Sequence, residues 1–329
     1  MKASVVIPTF NRPEAIITTI EALTKQTVRA DKYEVIIVDD GSVEEHRADV
    51  EQYVKSLSGI DITFLCQGGN TGKAKAVNTG LRQAKYELVI LTDDDCVPVE
   101  DWVASHIRMH EKIQAPASVF GPITLPEEWL SISNFTRYIN SRYVGNRLKQ
   151  PADGSPIVVP PNFFGGGNVS VPLDVLIRVG LFNEDIGRSQ DIELGFRLWK
   201  ANIPLIYSPT ASIVHYAQAA RDIDQWIAVL IKSYTFSVPQ FQKLHPEAMS
   251  RFGHWFLEKP QPGNESLRRT MTKYLVRIVL QSKIANTLIT IQKRTDGIKQ
   301  FYMPFLFKYV IGSACLEAVK KRDRSLSEL

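Results

Sequence analysis

The chain has 329 residues, of which 44% are hydrophobic, 22% are charged and 9% are aromatic. This composition is typical of a globular protein, and it excludes collagen, low-complexity disorder and a polytopic membrane protein. The net charge of +4 is unevenly distributed, because residues 216–329 carry 18 Lys and Arg against 9 Asp and Glu, whereas residues 1–215 have a net charge of −5. The two parts are therefore expected to meet different partners.

The three cysteines and the N-terminal segment point to a reducing compartment. Cys66, Cys96 and Cys315 form neither a CxxC pair nor a metal-binding spacing with histidine, so no disulfide framework or structural zinc site is indicated. Residues 1–10 lead directly into a strand-like segment and lack the features of a signal peptide. No stretch reaches the roughly 20 apolar residues of a membrane span. We expect a cytoplasmic location.

Short apolar runs alternate with helical patterns through the first 120 residues. The runs cover residues 4–8, 34–38, 62–66, 87–92 and 118–120. They are rich in β-branched residues and almost continuously apolar, which is typical of strands buried on both faces of a parallel sheet. Between the first two runs, Asn11 is placed to cap a helix whose buried stripe contains Ile16, Ile20 and Leu23. The pattern predicts an open α/β sheet.

Polar residues follow four of these runs. Ligands of open α/β sheets bind outside the carboxyl ends of the strands, where the loops converge. The three carboxylates of residues 93–95 could hold a divalent cation, or they could form a solvated acidic turn. Asp39 and Asp40 could recognise a base or a ribose, although Asp40 and Gly41 also form a strong turn dipeptide.

Two phosphate-binding fingerprints are excluded. In the segment 68–74, the P-loop pattern fails twice, because Gln67 stands where a Gly is required and Ala74 where a Ser or Thr is required. The dinucleotide-binding pattern GxGxxG is also absent after the first run.

The motifs taken together resemble a family 2 glycosyltransferase of the GT-A fold. The resemblance is carried by SVVIPTFNR at residues 4–12, EVIIVDDGS at 34–42, NTG at 70–72, DDD at 93–95, GGNVS at 166–170, DIELGFRL at 191–198 and IVH at 213–215. It implies an α/β domain over residues 1–215, with helices on both sides of a mostly parallel sheet. Within this domain, residues 1–115 would bind the nucleotide sugar and residues 116–215 would form the acceptor-side half. Outside the resemblance, the helical periodicity and the positive charge of residues 216–329 predict a basic, α-helical C-terminal extension.

The resemblance also implies an activity. It is the inverting transfer of a sugar from a nucleoside-diphosphate donor, in our prediction a UDP-sugar, to an acceptor hydroxyl with the help of Mn²⁺ or Mg²⁺. The expected setting is cell-surface or exopolysaccharide synthesis, with a glycan or a lipid-linked molecule as acceptor.

Site residues follow from the positions that match the family's motifs. Asp191 is the predicted catalytic base, and the metal ligands would be Asp93, Asp95 and His215. The donor nucleotide would contact Pro8, Thr9, Asn11, Asp39, Asp40, Asn70, Lys73 and Asp94. The donor and acceptor loop would contain Gly166, Gly167 and Asn168. One departure concerns the acceptor, because Gln190 stands where the family usually has an acidic residue.

Simpler interpretations of these residues stay open. Asp191 could be a carboxylate stabilised by a helix dipole, and His215 could be a structural residue that ends a strand. Two other functions would suit a related sheet: a nucleotidyltransferase that makes sugar nucleotides, or a non-catalytic nucleotide or glycan binder. The first should have a loop rich in Gly, Arg and Lys after the first strand, which residues 8–12 do not supply. The second is disfavoured because Asp93, Asp95 and Asp191 are all present.

The basic C-terminal part has no counterpart in the resemblance. Its charge, the apolar cluster at residues 301–306 and the basic run at 320–324 suit a helical region at the inner face of the membrane, in contact with anionic lipid. A helical cap with a solvated basic face is the alternative. Nucleic acid is not expected as a partner, because no recognised motif accompanies the charge.

Overall fold

The computed structural model describes residues 1–148, 151, 156–160, 163–248 and 255–327. The strands are β1 (Ala3–Thr9), β2 (Tyr33–Asp39), β3 (Asp61–Cys66), β4 (Leu88–Thr92), β5 (Cys96–Pro98), β6 (Ser118–Phe120), β7 (Ile123–Thr124), β8 (Ile157–Val159), β9 (Asn168–Pro172), β10 (Leu205–Tyr207) and β11 (Ile213–His215). The predicted strands agree with the observed ones to within about one residue at each end, a difference within the usual spread of strand assignment.

The helices follow the strands in the first two thirds of the chain and then continue alone. They are α1 (Pro13–Thr24), α2 (Glu44–Ser56), α3 (Lys73–Gln83), α4 (Trp102–Ile113), α5 (Glu127–Ile132), α6 (Asn134–Asn140), α7 (Leu173–Val179), α8 (Gln190–Lys200), α9 (Ile223–Lys232), α10 (Val238–Leu244), α11 (Leu267–Val279), α12 (Ser282–Thr295) and α13 (Pro304–Ser327). A π-helical turn, Ser233–Ser237, joins α9 to α10.

Eight strands form the central sheet in the order β3-β2-β1-β4-β9-β6-β10-β8. The pairs β2–β3, β1–β2, β1–β4 and β6–β10 are parallel, whereas β9 runs antiparallel to both of its neighbours. A second sheet has the order β5-β11-β7. The predicted α/β class, with a large and mostly parallel sheet, is confirmed.

Buried apolar side chains cover both faces of the central sheet. Because side chains alternate along a strand, Val5 and Ile7 of β1 pack into one cluster with α1 and α4, and Val6 packs into another with α3, α7 and α8. This burial on both faces explains why the strands appear in the sequence as continuous apolar runs.

The start of α1 differs from the expectation. Asn11 is not its N-cap, because Arg12 occupies that position and Pro13 is the first helical residue. Asn11 instead has a positive φ of 53°, and its Oδ1 accepts a hydrogen bond from the backbone N–H of Val43. The side chain therefore joins the loops that follow β1 and β2.

The chain divides into two compact units. The sheet unit comprises Met1–Pro126 and Ser141–Tyr216, and the helical unit comprises Glu127–Asn140 and Ala217–Leu329. The expected boundary after residue 215 lies next to this division. The sequence predicts that residues 127–140 belong to the acceptor-side half, but in the structure they group with the helical unit. Asn134 ties them to it by donating hydrogen bonds to the backbone carbonyls of Thr295 and Ile298.

The helical unit has its own core. Its buried side chains include Tyr234, Leu257, Leu316 and Val319. The basic run at residues 320–324 contributes to the interior at one position, because Arg322 is ion-paired with Glu258 at 2.8 Å and its side chain is only 10% exposed. Among the described residues, every helix is too short or too polar to span a membrane.

Candidate active site

A carboxylate and an imidazole meet where β5 pairs with β11. The antiparallel register sets His215 opposite Cys96, and it brings His215 Nε2 to 3.2 Å from Asp95 Oδ1. Burial acts to raise the pKa of Asp95, but the His215 hydrogen bond and the charges of Arg12 and Lys73 outweigh it and lower that pKa. Asp95 is therefore held as a carboxylate.

Asp93 has a different partner. Its Oδ1 is ion-paired at 2.5 Å with the Nζ of Lys73, the first residue of α3. The Asp93 and Asp191 carboxylates raise the pKa of Lys73 although burial acts to lower it, so the lysine stays charged. Within the described part of the chain, the metal-ligating side chains whose atoms lie within 4.8 Å of one another are Asp95, Cys96 and His215. Asp93 does not complete such a group with Asp95 and His215.

Asp191 is the second residue of α8, a helix that begins at Gln190 directly after Ser189, which has a positive φ of 62°. Burial raises the pKa of this carboxyl, and the opposing effects are the charge of Lys73 and hydrogen bonds from the backbone N–H groups of Ile192 and Gly166. Asp191, Lys73 and Gly166 line one narrow pocket. This arrangement gives the site a carboxylate that accepts protons more readily than an ordinary aspartate.

The glycine-rich loop passes between the two aspartates. A Cβ on Gly166 would lie 4.0 Å from Asp191 Cβ, and one on Gly167 would lie 3.4 Å from Asp93 Oδ2. The side chain of Asn168 points elsewhere. It is only 1% exposed, accepts a hydrogen bond from Trp102 Nε1, and donates to the carbonyls of Pro122 and Ala211. The sequence predicts that Asn168 faces a ligand, but in the structure the hydrogen bonds of its side-chain amide are made to buried groups of the core.

Residues at the end of β1 and in the loop after it are bound to the acidic residues 93–95, which follow β4, by hydrogen bonds and ion pairs. Thr9 Oγ1 donates to Asp94 Oδ2 at 2.9 Å, and Arg12 Nη1 bridges Asp94 and Asp95 at 3.2 and 2.9 Å. Burial raises the pKa of Asp94 to about 6, against the opposing charge of Arg12. Pro8 is buried within β1, so its side chain packs in the sheet.

Asp39 and Asp40 organise two loops. Asp39 accepts two hydrogen bonds from the backbone N–H of Ser42, and Asp40 accepts from the N–H groups of Thr71 and Gly72. Gly41 has a φ of +85°, and a Cβ there would lie 2.3 Å from the carbonyl carbon of Gly69. Asn70 is exposed in the loop held by Asp40. Of these predicted nucleotide-binding residues, Asn70 is exposed. Asp39 and Asp40 are buried, and their carboxylates already accept hydrogen bonds from backbone N–H groups.

Two residues near the site were absent from the sequence-based assignment. Arg12 lies in the segment that carries the resemblance, and its position directly after Asn11 was the available signal. Tyr143 gave no signal, because only the fold brings its hydroxyl to 3.3 Å from His215 Nδ1. Burial raises the pKa of the Tyr143 hydroxyl, which is therefore a neutral partner for the imidazole.

The residues around Asp95 suit a hard divalent cation. Neighbouring ligands of an octahedral ion at 2.0–2.1 Å are about 3 Å apart, which matches the 3.2 Å between Asp95 Oδ1 and His215 Nε2. Burial raises the pKa of the Cys96 thiol well above its ordinary value, and soft sulfur suits Mn²⁺ or Mg²⁺ less well than a carboxylate oxygen does. Asp95 and His215 are the residues that could hold Mn²⁺ or Mg²⁺.

Charged side chains gather at the carboxyl edge of a mostly parallel sheet, which is the edge where ligands of open α/β folds bind. The family follows from comparison of the sequence. The model of glycosyl transferase family 2 matches residues 4–170, and the chain belongs to this family.

Curated relatives match the chain over about 60% of its length. A hyaluronan synthase from Pasteurella multocida is 28% identical over 225 residues, which are 60% of this chain and 22% of the synthase. A validoxylamine A glucosyltransferase from Streptomyces hygroscopicus subsp. jinggangensis is 32% identical over 226 residues, or 62% of this chain and 53% of that enzyme. The chain thus spans between about a fifth and a half of these relatives.

Solved structures share the fold, including the helical region. The mannosyltransferase PcManGT from Pyrobaculum calidifontis, in complex with GDP-Man and Mn²⁺, has a TM-score of 0.59 and 19% identity, and the match covers 98% of this chain and 86% of that one. S. aureus TarS residues 1–349, in complex with UDP, gives a TM-score of 0.54 and 15% identity over 100% and 92% of the two chains. These matches confirm the GT-A fold.

Proposed function

We propose that this family 2 glycosyltransferase moves a sugar from a nucleoside-diphosphate donor to an acceptor hydroxyl with inversion of configuration, and that it depends on a divalent metal. The observation that carries the proposal is the pocket shared by Asp191, Lys73 and Gly166. In this pocket the Asp191 carboxyl has a raised pKa and lies near the charged Lys73, which is ion-paired with Asp93. A UDP-sugar is the proposed donor, in line with the UDP found with TarS.

Asp191 is the proposed general base. Inversion requires the acceptor hydroxyl to attack from the face opposite the leaving diphosphate, and one carboxylate on that face can take the hydroxyl proton. The raised pKa suits this role, because a base works best when its pKa is close to the working pH. The N–H groups of Ile192 and Gly166 would fix the orientation of the carboxylate.

Asp95 and His215 would hold the metal, which when bound supplies a Lewis acid for the charge that develops on the leaving diphosphate. Lys73 would place a fixed positive charge beside this region, with Asp93 holding its ammonium in position. Arg12 would keep Asp94 and Asp95 close together although both are acidic. Asn70 and Thr9 are proposed contacts of the nucleotide at the outer rim.

A donor-hydrolysis assay with a panel of nucleotide sugars tests this function. We expect turnover with Mn²⁺ or Mg²⁺, loss of turnover with EDTA, and a product of inverted anomeric configuration when an acceptor is supplied. Metal-independent turnover would contradict the proposed role of Asp95 and His215. Lack of turnover with every donor would contradict the whole proposal.

The acceptor is proposed to be a glycan or a lipid-linked molecule in cell-surface or exopolysaccharide synthesis. The names of two relatives, a hyaluronan synthase and a chondroitin synthase, support a polysaccharide product. We also propose that the enzyme works in the cytoplasm, in peripheral contact with the inner face of the membrane.

Within the segment at residues 301–306 that the sequence singled out, Phe301 and Phe305 are 47% and 64% exposed, and a second exposed apolar surface that supports membrane contact lies on α11. Its apolar side chains follow a helical period and are between 49% and 77% exposed; they are Leu267, Met271, Tyr274, Leu275 and Ile278. Residues 267–309 contain nine Lys and Arg and one Asp. Exposed apolar residues among cations suit an anionic lipid surface.

Co-sedimentation of the full chain with lipid vesicles tests this contact. We expect binding to vesicles of phosphatidylcholine with phosphatidylglycerol, weaker binding to phosphatidylcholine alone, and at least tenfold weaker binding of the double variant Leu275→Glu/Ile278→Glu. Ile177→Glu is the matched control, because Ile177 is equally exposed at 61% but lies on α7 of the sheet unit. Unchanged vesicle binding of the double variant would overturn the assignment.

A further inference from the structure

Tyr143 and Asp95 hold the imidazole of His215 at its two nitrogen atoms. The hydroxyl of Tyr143 lies 3.3 Å from Nδ1, and Asp95 Oδ1 lies 3.2 Å from Nε2. Within the described part of the chain, these two side chains are the hydrogen-bonding partners of the imidazole. Because each ring nitrogen has its own partner, a rotation of the ring would break both contacts. The two partners therefore fix the orientation of the imidazole.

The position of Tyr143 is set by the short 3-10 turn that begins at the next residue. A Cβ on Gly145 of this turn would lie 3.0 Å from the Cα of Pro122, so the turn packs closely against the residue that precedes β7. The hydroxyl of Tyr207 donates a hydrogen bond to the carbonyl of Gly145 at 3.3 Å. Because β7 pairs with β11, which ends at His215, the turn and the imidazole are anchored on neighbouring strands.

The direction of the two hydrogen bonds follows from the chemistry of the partners. The carboxylate of Asp95 can only accept, so Nε2 of His215 must carry the proton of that contact. A neutral imidazole has a single N–H group, which makes Nδ1 an acceptor, and the hydroxyl of Tyr143 then donates to it. Both ring nitrogens are satisfied in this arrangement.

Metal binding requires the opposite arrangement of the imidazole proton. A metal is bound by the lone pair of an unprotonated ring nitrogen, so binding through Nε2 leaves the proton of His215 on Nδ1, which must then donate. A tyrosine hydroxyl accepts as well as donates, and Tyr143 can therefore be the partner of Nδ1 in both states. Such a partner of the second N–H group fixes the tautomer of a metal-binding histidine and makes it a stronger ligand.

We propose that Tyr143 is a positioning residue for the metal site, which holds the imidazole of His215 beside Asp95 and is the partner of Nδ1 whether that nitrogen accepts or donates. The proposal rests on the proposed function, because it requires His215 to be a metal ligand. Tyr143 acts through His215 and does not bind the metal itself. It would set how tightly the metal is held.

Binding of Mn²⁺ to the full chain, followed by electron paramagnetic resonance, tests this role. Tyr143→Phe removes the hydroxyl but keeps the ring, and we expect it to weaken Mn²⁺ binding about tenfold, the lower end of the range for loss of a partner of a metal ligand. Tyr207→Phe is the matched control, because it removes a buried hydroxyl that bonds to the same turn, and it should bind Mn²⁺ like the wild type.

A double variant separates positioning from general support of the fold. Tyr143→Phe/His215→Ala should bind Mn²⁺ as His215→Ala does, because Tyr143 acts through the imidazole that is then missing. Saturating Mn²⁺ should also restore sugar transfer by Tyr143→Phe, since the change weakens metal binding and leaves the proposed base intact, whereas a misfolded variant would stay inactive.

The opposite results would overturn the proposal. They are unchanged Mn²⁺ binding in Tyr143→Phe, an equal loss in Tyr207→Phe, a further loss in the double variant, and transfer by Tyr143→Phe that stays low at saturating Mn²⁺. If Tyr143→Phe binds normally while His215→Ala binds weakly, the proposed function stands without this residue. Absence of Mn²⁺ binding by the wild type would overturn both this proposal and the proposed metal dependence.

Discussion

The sheet unit and the helical unit use their charged residues in different ways. In the sheet unit, strand pairing and loop contacts bring charged groups of several loops into one small region, where Lys73 pairs with Asp93 and His215 with Asp95. In the helical unit, buried charges form separate pairs such as Lys273 with Glu265, and most of the other cations in the described residues lie on the surface. Convergence of charge marks a place where a charged ligand can be bound and transformed, whereas scattered charge favours a broad surface.

The largest expected effect is the loss of sugar transfer when Asp191 of the sheet unit is replaced, and it tests whether catalysis takes place in this unit. Asp191→Asn removes the proposed base, and general-base catalysis contributes about 10²–10⁴-fold, so we expect kcat to fall at least 100-fold while the donor nucleotide still binds. The measurements are sugar transfer and nucleotide binding by calorimetry. Asp185→Asn, an exposed aspartate in the loop before α8, is the matched control and should keep its activity. Loss of nucleotide binding in Asp191→Asn would contradict its assignment as base.

The next prediction compares His215, a proposed metal ligand, with its neighbour Cys96, which is not expected to bind the metal. His215→Ala should weaken Mn²⁺ binding at least tenfold, because it removes one of two protein ligands. Cys96→Ala should leave Mn²⁺ binding close to that of the wild type, since soft sulfur suits Mn²⁺ less well than an oxygen ligand does. Binding of Mn²⁺ to the purified chain, followed by electron paramagnetic resonance, measures both. A strong loss in Cys96→Ala alone would show that the metal site lies elsewhere in this cluster.

A third prediction concerns the loops that form the rim. Gly41→Ala should destabilise the chain on the order of 3 kcal/mol, because a Cβ there meets the backbone of Gly69 and alanine disfavours the left-handed conformation. Gly187→Ala should change the free energy of unfolding by less than about 0.5 kcal/mol, since a Cβ at Gly187 has no atom within 4 Å. Denaturant unfolding measures both variants. Equal stability of the two would contradict the direct packing of the loops after β2 and β3.

The last prediction is a dependence of stability on pH that comes from the sheet unit. Burial lowers the pKa of His106 to about 3 and that of His110 to about 4, so both are neutral in the folded state. Below the unfolded-state pKa of about 6.5, the unfolded chain binds more protons, and the folded state loses stability as the pH falls.

Between pH 6.5 and pH 5 this loss should reach about 1.6 kcal/mol for each histidine, because the unfolded imidazole is half protonated at pH 6.5 and the loss approaches about 1.4 kcal/mol per pH unit only below that. Urea unfolding at a series of pH values measures it. The double variant His106→Asn/His110→Gln should show a flatter pH profile than the wild type, and an unchanged profile would count against the two histidines as the source.

Much of the fold could be predicted because the central strands β1, β2 and β4 are buried along their whole length. The apolar runs therefore appear directly in the sequence, and the motifs at their ends identified the family. The site is harder to predict at the level of single residues. Asp39 and Asp40 look like ligand contacts in the sequence, but their partners are backbone N–H groups of loops that come close only in the folded chain.

The sequence by itself determined the family, the α/β class and the set of acidic strand ends, because these depend on local periodicity and on motifs that are contiguous in the chain. The tertiary structure alone decided that Asp95 pairs with His215 and Asp93 with Lys73, since these residues are far apart in sequence and meet through β-strand register or across loops. It alone also placed the exposed apolar face on α11, because burial is a property of packing and not of sequence.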